Sequence, residues 1–459
     1  ETIAQKTPTP SPKAAPVPTP MSTTPTNATA APMASHFGMP SPRNSPAPSA
    51  IRIGPTPTIM AVVPASRAMT TAMGGQATES QLTEAGRAVR WSDGGAGEGR
   101  AEGRAGVDRV PRMRIGILTG GGDCPGLNAV IRATVRTVEI EHGGTVVGFK
   151  DAWRGVVTDD WEPRTSEGSR GLLPRGGTIL GTSRDQPYTM DGGVEAVRRA
   201  VDRHGLDAIV AIGGEGSMGV TKDLHRDGVP VVGVPKTIDN DIQLTEMTFG
   251  FQTAVQICSD AIDRLHTTAE SHDRVLVVEV MGRHVGHIAT WAGLAGGAAV
   301  TLVPEVPFDI DHVAELISAR HRHGHWSSIV VVAEGAVAAE GTMDVPEVRM
   351  DAYGHQVLGG MGHRVAAEIE RRTGIESRTT VLGHVQRGGS PVAFDRVLAT
   401  RFGVAAVDAV ADGALGDMVA LQSGAITRVA VADAVGHLKT VEADMLRASS
   451  IFQVPYDRT

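Results

Sequence analysis

The chain has 459 residues and a formal net charge of −8, from 43 basic and 51 acidic side chains. This mild acidity argues against a protein whose main role is to coat nucleic acid or an anionic membrane, because both surfaces attract basic patches. Two cysteines, Cys124 and Cys258, are too few for a disulfide framework or a four-cysteine zinc site, so we expect a reducing compartment.

The first predicted segment, residues 1–112, is rich in proline and poor in large apolar side chains. It holds 16 of the 27 prolines and a single leucine, with Ala, Ser, Thr and Gly at most other positions. Such a segment cannot bury enough apolar surface to offset the entropy lost on ordering. The lack of acidic residues between Glu1 and Glu79 resembles a transit peptide, but no clean amphipathic stretch stands out. We therefore expect a disordered extension, or an over-extended start, before Met113.

Regular patterning begins at Met113. Arg114–Leu118 is a short β-branched run, a glycine-rich turn follows, and Asn128–Glu141 spaces its apolar residues as a helix does. Residues 251–265 show the same helical spacing of a buried face. Four further apolar runs predict strands: Ala208–Ile212, Val229–Val234, Val275–Val280 and Ile329–Ala333. Strands that alternate with helices predict an α/β fold with mostly parallel sheets. No run of 18 apolar residues occurs, so we expect no membrane span.

The first glycine-rich turn, residues 120–128, reads GGGDCPGLN between a predicted strand and a predicted helix. Unpaired amide groups and the positive end of the helix dipole can face an anion there. No GK[ST] sequence follows, so the turn is not a Walker loop. The structural alternative is a tight turn that binds no ligand.

A second glycine-rich turn, residues 214–219, reads GEGSMG and satisfies the GxGxxG dinucleotide pattern. That pattern needs an acidic residue at the end of the next strand, but here the strand ends in Val234, Pro235 and Lys236, and lysine prefers phosphate. Glu215 can approach pyrophosphate only with a divalent cation between them. The turn predicts a nucleotide or polyphosphate site, with a pyridine-nucleotide oxidoreductase as the alternative.

Two carboxylates, Asp239 and Asp241, lie in the predicted loop Lys236–Asp241 after this strand. One could accept a proton from an attacking hydroxyl group, and the other could hold magnesium through water. Solvated carboxylates in a turn are the commoner alternative.

Two later turns, residues 281–286 and 384–391, place Arg283 and Arg387 close to glycines. Guanidinium groups in such turns suit bidentate phosphate contacts, although each alone is more often a solvated charge. The nearby histidines lack the spacing of zinc ligands.

Six segments in this order resemble those of the 6-phosphofructokinase family: GGGDCPGLN, GGTILGTSR, GGEGS, PKTIDND, MGRHVG and GHVQRGGSP. The resemblance runs from Met113 to about Gly413. It implies a glycolytic kinase that transfers the γ-phosphoryl group of ATP to the 1-hydroxyl of fructose 6-phosphate, with Mg2+ as the metal. It also implies two Rossmann-like three-layer lobes, about 113–250 with 386–436 and 251–385 with 437–459. The implied assembly is a cytoplasmic homodimer or homotetramer with shared active sites and with no nucleic-acid or membrane partner.

The resemblance also assigns site residues position by position. The implied catalytic residues are Asp239 as the base, Thr237 and Arg184. The implied nucleotide side consists of Gly121, Arg184, Asp185, Gly214, Glu215, Gly216 and Ser217. The implied sugar-phosphate side consists of Thr237, Ile238, Asp239, Arg274, Met281, Gly282, Arg283, Glu334, Arg378, His384, Val385, Gln386 and Arg387. Glu215 is the implied magnesium ligand, where the family usually has Asp. In the family, the equivalents of Arg274 and Arg378 reach in from a neighbouring subunit.

Two residues give opposite indications of the phosphoryl donor. In the family, a small residue at Gly216 leaves room for the inner phosphate of a nucleotide, whereas pyrophosphate-dependent members have aspartate there. Lys236 points towards pyrophosphate, because those members have lysine where many ATP-dependent members have glycine. A lysine can swing aside, while a carboxylate pressed against phosphate both clashes and repels. We therefore expect ATP, with pyrophosphate as the alternative.

The allosteric pocket of the family is only partly matched. Arg132 and Arg136 resemble effector-contacting arginines of the short bacterial enzymes, but His266 stands where that pocket usually has another arginine. We do not expect the same effector response. A catalytically silent sugar-phosphate sensor is also disfavoured, because Asp239 and the donor turns are intact.

Overall fold

The computed structural model describes residues 112–344 and 359–453. The predicted extension over residues 1–112 lies outside the described residues except for Arg112. The strands are β1 Arg114–Thr119, β2 Thr145–Phe149, β3 Trp161–Arg164, β4 Ala208–Gly213, β5 Val231–Thr237, β6 Phe249–Gly250, β7 Val275–Val280, β8 Val300–Leu302, β9 Ser328–Ala333, β10 Ser377–Val381, β11 Asp417–Gln422 and β12 Ala425–Ala430. The helices are α1 Leu127–His142, α2 Trp153–Thr158, α3 Gly193–His204, α4 Glu215–Arg226, α5 Phe251–His272, α6 His287–Ala295, α7 Ile310–Arg322, α8 Met361–Thr373, α9 Ala393–Ala411, α10 Val431–Ala434 and α11 Ala443–Ile451.

The larger sheet has eight strands in the order β12-β11-β5-β4-β1-β2-β3, with β6 paired to β5. Its central pairs are parallel, and antiparallel pairing occurs where β3 meets β2 and where β12 meets β11. The chain contributes to this sheet twice, because β1 to β6 come from residues 114–250 and the last two strands from residues 417–430. The sheet is therefore completed only near the end of the chain.

The smaller sheet has four parallel strands in the order β10-β7-β9-β8. Parallel neighbours need crossover connections, which helices usually supply, and α6, α7 and α8 lie between its successive strands in the chain. Strand β10 is one edge of this sheet. Two mostly parallel sheets covered by helices confirm the predicted α/β class. None of the described helices is long and apolar enough to cross a membrane.

Strand side chains alternate between two cores, as the twofold period of a strand requires. In β1, Ile117 faces the core that the two sheets share, whereas Leu118 faces an outer core with α2, α3 and α4. In β7, Val278 faces the shared core and Val277 faces an outer core with α7 and α8. Because both faces of each sheet are covered, the strands read as nearly continuous apolar runs.

Strand β5 extends further than the sequence predicts. The predicted loop over Lys236–Asp241 is wrong for its first two residues, which belong to the strand. Lys236 pairs with Phe249 and Thr237 pairs with Gly250, the two residues of β6. This short pairing holds the end of β5 in an extended conformation, so that the strand ends only two residues before Asp239.

Candidate active site

A cleft of about 960 Å³ opens where β1, β4, β5, β7 and β9 reach their carboxyl ends. Ligands of open α/β sheets bind at this edge. Many of the residues predicted for the site line the cleft: Gly121, Arg184, Asp185, Gly214, Glu215, Gly216, Ser217, Thr237, Asp239, Met281, Arg283, Glu334, His384 and Arg387. The glycine-rich turns, the loop after β5 and the arginine turns therefore meet in one cavity.

The first glycine-rich turn is held tightly against its surroundings. Gly121 has a φ of +76°, a left-handed conformation that glycine adopts without strain. A Cβ atom added at Gly120 would lie 2.8 Å from Oγ of Ser217, so a side chain there would require Ser217 to move. The hydroxyl of Thr182 donates to the carbonyl of Gly121 at 2.6 Å, and the Gly121 N–H donates to the carbonyl of Ser183 at 3.1 Å. The turn is thus fixed before any ligand binds.

Lys236 lies beside this turn with only 3% of its surface exposed. Its Nζ donates to the carbonyl of Gly122. Burial lowers the pKa of Lys236, and the charge of Arg387 lowers it further, while the nearby carboxylates of Asp123 and Asp239 raise it. An ammonium group in the wall of the cleft attracts phosphate oxygens more strongly than one in open solvent does.

The second glycine-rich turn leads directly into α4, which begins at Glu215. The first residues of this helix line the cleft, so its N-terminal amide groups can face an anion. A Cβ atom added at Gly216 would meet no atom within 4 Å, so the space beside the turn is open. The dinucleotide pattern is not completed, because the end of β5 brings Lys236, and not a carboxylate, to the position where ribose hydroxyls would bind.

The carboxylate of Glu215 is placed where a magnesium ion could be held. Its Oε1 accepts a long hydrogen bond of 3.4 Å from the main-chain nitrogen of Gly436, and its charge raises the pKa of Asp241. Among residues 112–344 and 359–453, no three His, Cys, Asp or Glu side chains form a ready metal site. Magnesium usually keeps several waters and takes one or two carboxylates together with substrate phosphates. A sparse set of carboxylates therefore fits this ion.

Asp239 lines the cleft, and one of its carboxylate oxygens makes no hydrogen bond among the described residues. Its main-chain N–H donates to the hydroxyl of Thr237 at 3.0 Å. Its Oδ1 is buried and has no hydrogen-bond partner among the described residues. Burial raises the pKa of this carboxyl, while the positive charges of Arg387, Lys236 and Arg283 lower it. Because the carboxyl group lies in the wall of the cleft and its pKa is raised, it is suited to accept a proton from a hydroxyl group bound there.

Asp241 belongs to the same group of buried charges. Burial and the nearby charge of Asp239 together raise its pKa to about 7, although a hydrogen bond from the hydroxyl of Thr237 opposes this shift. Two close carboxylates resist simultaneous ionisation. A cation bound near Asp241 would favour the ionised form of both groups.

Arg387 lies against the first glycine-rich turn. Its Nη1 donates to the carbonyl of Asp123 at 3.2 Å, and a Cβ atom added at Gly122 would lie 2.5 Å from the same nitrogen. The resemblance assigns Arg387 to the sugar-phosphate side, yet its guanidinium group reaches the opposite wall of the cleft. A guanidinium in this position can contact phosphate groups bound on either side.

Four predicted residues beside the cleft do not line it: Ile238, Gly282, Val385 and Gln386. Ile238 is fully buried in the core that the sheets share. Gln386 is also fully buried, and its Oε1 accepts hydrogen bonds from the N–H of Met281 at 3.1 Å and from the thiol of Cys258 at 3.2 Å. Gln386 therefore orients the turn that carries Met281.

Arg274 and Arg378 lie at the opposite end of the smaller sheet. Arg274 directly precedes β7, and Arg378 is near the start of β10, whereas Met281 follows the end of β7. A strand of six residues is about 20 Å long. Arg274 donates from Nε to Glu376 at 2.7 Å, Arg378 pairs with the same carboxylate, and both lower its pKa. Within one chain, these arginines and the cleft cannot hold the same small ligand.

Trp153 lines the cleft, and no sequence pattern singled it out. It begins α2 directly after two residues with positive φ, Asp151 at 51° and Ala152 at 62°. Residues other than glycine are strained in this region, and such strain concentrates at functional sites. Only the backbone conformation before Trp153 marks this position as part of the site. A single tryptophan in the sequence does not indicate that conformation.

The comparisons with known proteins agree on one family. The family model described as Phosphofructokinase matches residues 114–410. A protein named pyrophosphate–fructose 6-phosphate 1-phosphotransferase, from Amycolatopsis methanolica, is 56% identical over 340 residues, which cover 74% of this chain and 99% of that protein. A protein named ATP-dependent 6-phosphofructokinase 3, from Streptomyces coelicolor, is 53% identical over 329 residues, which cover 72% and 96%. Relatives named for either donor thus have nearly equal identity.

The fold is also similar to a solved structure. Phosphofructokinase from Pichia pastoris in the T-state superimposes with a TM-score of 0.63 and 32% identity over 74% of this chain. The matched region spans 39% of the longer yeast chain. The arrangement of strands and helices described above is therefore shared with that structure.

Proposed function

The chain belongs to the phosphofructokinase family, and we propose that it transfers the γ-phosphoryl group of ATP to the 1-hydroxyl of fructose 6-phosphate, giving fructose 1,6-bisphosphate. The observation that carries this proposal is the placement of the Asp239 carboxyl group in the wall of a cleft lined by both glycine-rich turns and by several cationic side chains. The enzyme would act in glycolysis in the cytoplasm, as the family does.

In the proposed reaction, the 1-hydroxyl of the sugar gives its proton to Asp239 as its oxygen bonds to the γ-phosphorus. The bond from that phosphorus to the β–γ bridging oxygen breaks, and ADP leaves with the electron pair. Arg184 and Arg387 neutralise the phosphoryl oxygens, whose charge must be stabilised in the transition state. Glu215 would hold Mg2+, which supplies further positive charge to the donor phosphates. The raised pKa of Asp239 makes its carboxylate a stronger base for this step.

The two substrates are proposed to bind on opposite sides of Asp239 and Thr237. The proposed donor side consists of Gly121, Arg184, Asp185 and the turn Gly214–Ser217. The proposed sugar-phosphate side consists of Met281, Arg283, Glu334, His384 and Arg387. The donor residues follow strands of the larger sheet or the segments between them, and most of the sugar residues follow strands of the smaller sheet. The two lobes of the enzyme would accordingly correspond to the two sheets.

We propose that the enzyme is a homodimer or homotetramer, in which Arg274 and Arg378 complete the sugar-phosphate pocket of a neighbouring subunit. The position of both arginines at the far end of the smaller sheet supports this assembly. Strand β10 is an edge strand, and the side chains of Val381 and Val385 near its end are 47% and 61% exposed. Apolar groups at an open edge favour contact with another protein surface.

ATP is the proposed donor because the space beside Gly216 is open. Lys236 supports the pyrophosphate alternative, as does the relative that is named for pyrophosphate and is 56% identical. The Nζ of Lys236, however, already donates to the carbonyl of Gly122, so this lysine also has a role within the protein. Steric access therefore weighs more than the added charge.

Steady-state assays of the full chain with fructose 6-phosphate and Mg2+ test the proposal. We expect formation of fructose 1,6-bisphosphate, with kcat/KM for ATP at least about tenfold above that for pyrophosphate. Absence of product with both donors would overturn the proposed function. Faster turnover with pyrophosphate would support phosphorylation of fructose 6-phosphate but would show that pyrophosphate, and not ATP, is the donor.

A further inference from the structure

The segment between α10 and α11, residues 435–442, runs beside the loop that carries Asp239, and we call it the C-terminal strap. Leu438 forms an isolated antiparallel bridge with Ile242. Its carbonyl accepts a hydrogen bond of 3.0 Å from Nε2 of Gln243. The strap therefore follows the residues directly after the two carboxylates.

Lys439, within the strap, makes three hydrogen bonds to this loop. Its main-chain N–H donates to the carbonyl of Asp241 at 2.8 Å. Its Nζ donates to the carbonyl of Thr245 at 2.9 Å and to that of Glu246 at 2.8 Å. One residue thus connects the two ends of the turn that begins after Asp239.

The loop needs such support because its backbone is strained. Asn240 has a φ of 54° and Leu244 a φ of 63°, both in the left-handed region. The side chain of Asn240 donates to the carbonyl of Glu246 at 3.3 Å and accepts the N–H of Thr248 at 3.0 Å. Strained residues keep their conformation only where the surrounding bonds over-determine it.

The other side of the strap is anchored to the part of the chain that forms the smaller sheet. His287, fully buried at the start of α6, donates from Nε2 to the carbonyl of Lys439 at 3.0 Å. Glu305 accepts the N–H of Val441 at 3.2 Å and that of Gly286 at 2.9 Å. Lys439 is therefore held in place while it holds the loop.

The charge of Lys439 suits this role. Burial lowers its pKa to about 8, while the carboxylates of Glu442, Asp241 and Glu246 raise it. The side chain is therefore mostly an ammonium group at pH 7, with enough N–H donors for both carbonyls.

We propose that Lys439 is a positioning residue for Asp239: it fixes the loop so that the carboxyl group of Asp239 stays in the wall of the cleft. This inference rests on the proposed function, because it takes Asp239 as the base. Lys439 does not line the cleft, so it is not expected to touch either substrate. Its loss should slow the chemical step and leave substrate binding nearly unchanged.

A double-mutant cycle in the full chain tests the proposal. Lys439→Met removes the ammonium donors at similar length, and we expect kcat to fall about 10- to 100-fold while KM for fructose 6-phosphate changes less than about threefold. In the Asp239→Asn background, the same substitution should lower kcat less than about twofold, because no base is left to misplace. Lys222→Met, at a partly exposed position in the second half of α4, is the control and should leave kcat unchanged.

Lys439→Arg is the second variant, because it keeps the charge and the N–H donors. We expect it to retain more of kcat than the methionine variant. If the methionine variant does not fold, the double-mutant cycle is measured with Lys439→Arg in its place. Equal losses of kcat in both backgrounds, or unchanged kcat in both Lys439 variants, would overturn the positioning role. Near-normal turnover of Asp239→Asn alone would instead overturn the proposed function.

Discussion

The Nη1 atom of Arg387 lies 3.2 Å from the main-chain oxygen of Asp123, although 264 residues separate the two in the chain. The contact brings a guanidinium group to the meeting point of the first glycine-rich turn and the loop of Asp239. Of the charges that lower the pKa of Asp239, that of Arg387 is the strongest. Arg387 can therefore influence both phosphate groups bound in the cleft and the proposed base.

We expect Arg387→Met to raise KM for fructose 6-phosphate and to move the acid limb of the kcat/KM profile to higher pH. Burial already raises the pKa of Asp239, and loss of the guanidinium removes the strongest opposing charge, so the carboxyl stays protonated to a higher pH. Steady-state rates between about pH 5 and pH 9 measure this shift. Arg401→Met, which removes an exposed arginine bound to Gly424, is the control and should leave the limb in place. An acid limb that stays or moves to lower pH in the Arg387 variant would contradict this charge relation.

Asp239→Asn should lower kcat about 10²- to 10⁴-fold, because the amide keeps the shape of the side chain but cannot take the proton. KM for fructose 6-phosphate should change little, since the amide still fits the pocket. Asp223→Asn, a partly exposed carboxylate further along α4, is the control and should keep wild-type kcat. Turnover near the wild-type value in the Asp239 variant would show that another group accepts the proton.

Gly216→Asp should separate the two possible donors. A Cβ atom added at this position meets no atom of the protein within 4 Å, so we expect the variant to fold. Its carboxylate would occupy the space proposed for the inner phosphate of ATP, and kcat/KM for ATP should fall at least about tenfold more than that for pyrophosphate. Gly219→Asp, at an equally open position of α4, is the matched control. Equal losses with both donors would contradict the steric argument.

Asp395 should make the stability of the fold depend on pH. Its Oδ2 accepts the N–H of Thr253 at 2.8 Å and the hydroxyl of the same residue at 2.5 Å, while Oδ1 is buried without a partner among the described residues. Burial raises the pKa of Asp395 to about 6, above its ordinary value of 3.8. Because the pKa is higher in the folded state than in the unfolded chain, the protonated carboxyl stabilises the fold. This contribution to the free energy of unfolding, about 3 kcal/mol, is fully present below about pH 4 and is lost as the pH rises through about 6.

The neutral variant Asp395→Asn lacks this titration. Between pH 5 and pH 7.5, the free energy of unfolding of the wild type should fall by about 1 to 2 kcal/mol relative to that of the variant. Urea unfolding at the two pH values, followed by tryptophan fluorescence, measures the difference. Asp191→Asn, at an exposed position before α3, should follow the wild type. A difference between wild type and Asp395→Asn that is independent of pH would refute the assigned pKa shift.

Mixed oligomers test whether neighbouring subunits share a site. Arg378→Ala and Asp239→Asn should each be nearly inactive alone, because one lacks the arginine proposed to reach its neighbour and the other lacks the proposed base. A mixed dimer contains one intact site, so an equal mixture that assorts at random should recover about a quarter of the wild-type activity. Co-expression of two differently tagged chains supplies the mixed species. Activity no higher than that of the separate variants would indicate that each chain uses its own Arg378.

The sequence predicted those parts of the fold that have a local signal. The strand before the first glycine-rich turn and the helix from Phe251 follow from hydrophobic spacing alone. The extension of β5 to Thr237 could not be predicted, because it depends on pairing with the two residues of β6, and so short a strand has no periodicity.

In the candidate site, too, only the features with a local sequence signal could be predicted. Gly121 and Asp239 were predicted from turns that follow strands, where backbone geometry and chemistry coincide. The motif around Arg387 could not show which of its side chains face the cleft, and the structure turns Gln386 inward to Met281. The contact between Arg387 and Asp123 depends on how distant segments pack, which spacing along the chain does not encode.

The order of strands in the larger sheet has a consequence for synthesis of the protein. Strand β5 pairs with β4 on one side and with β11 on the other, and β11 begins only at Asp417. While the ribosome is still translating the intervening residues, most of β5 presents unpaired N–H and C=O groups, and such exposed edges recruit foreign strands. Chains truncated before Asp417 should therefore aggregate, because this edge of β5 would never be covered by its final strand.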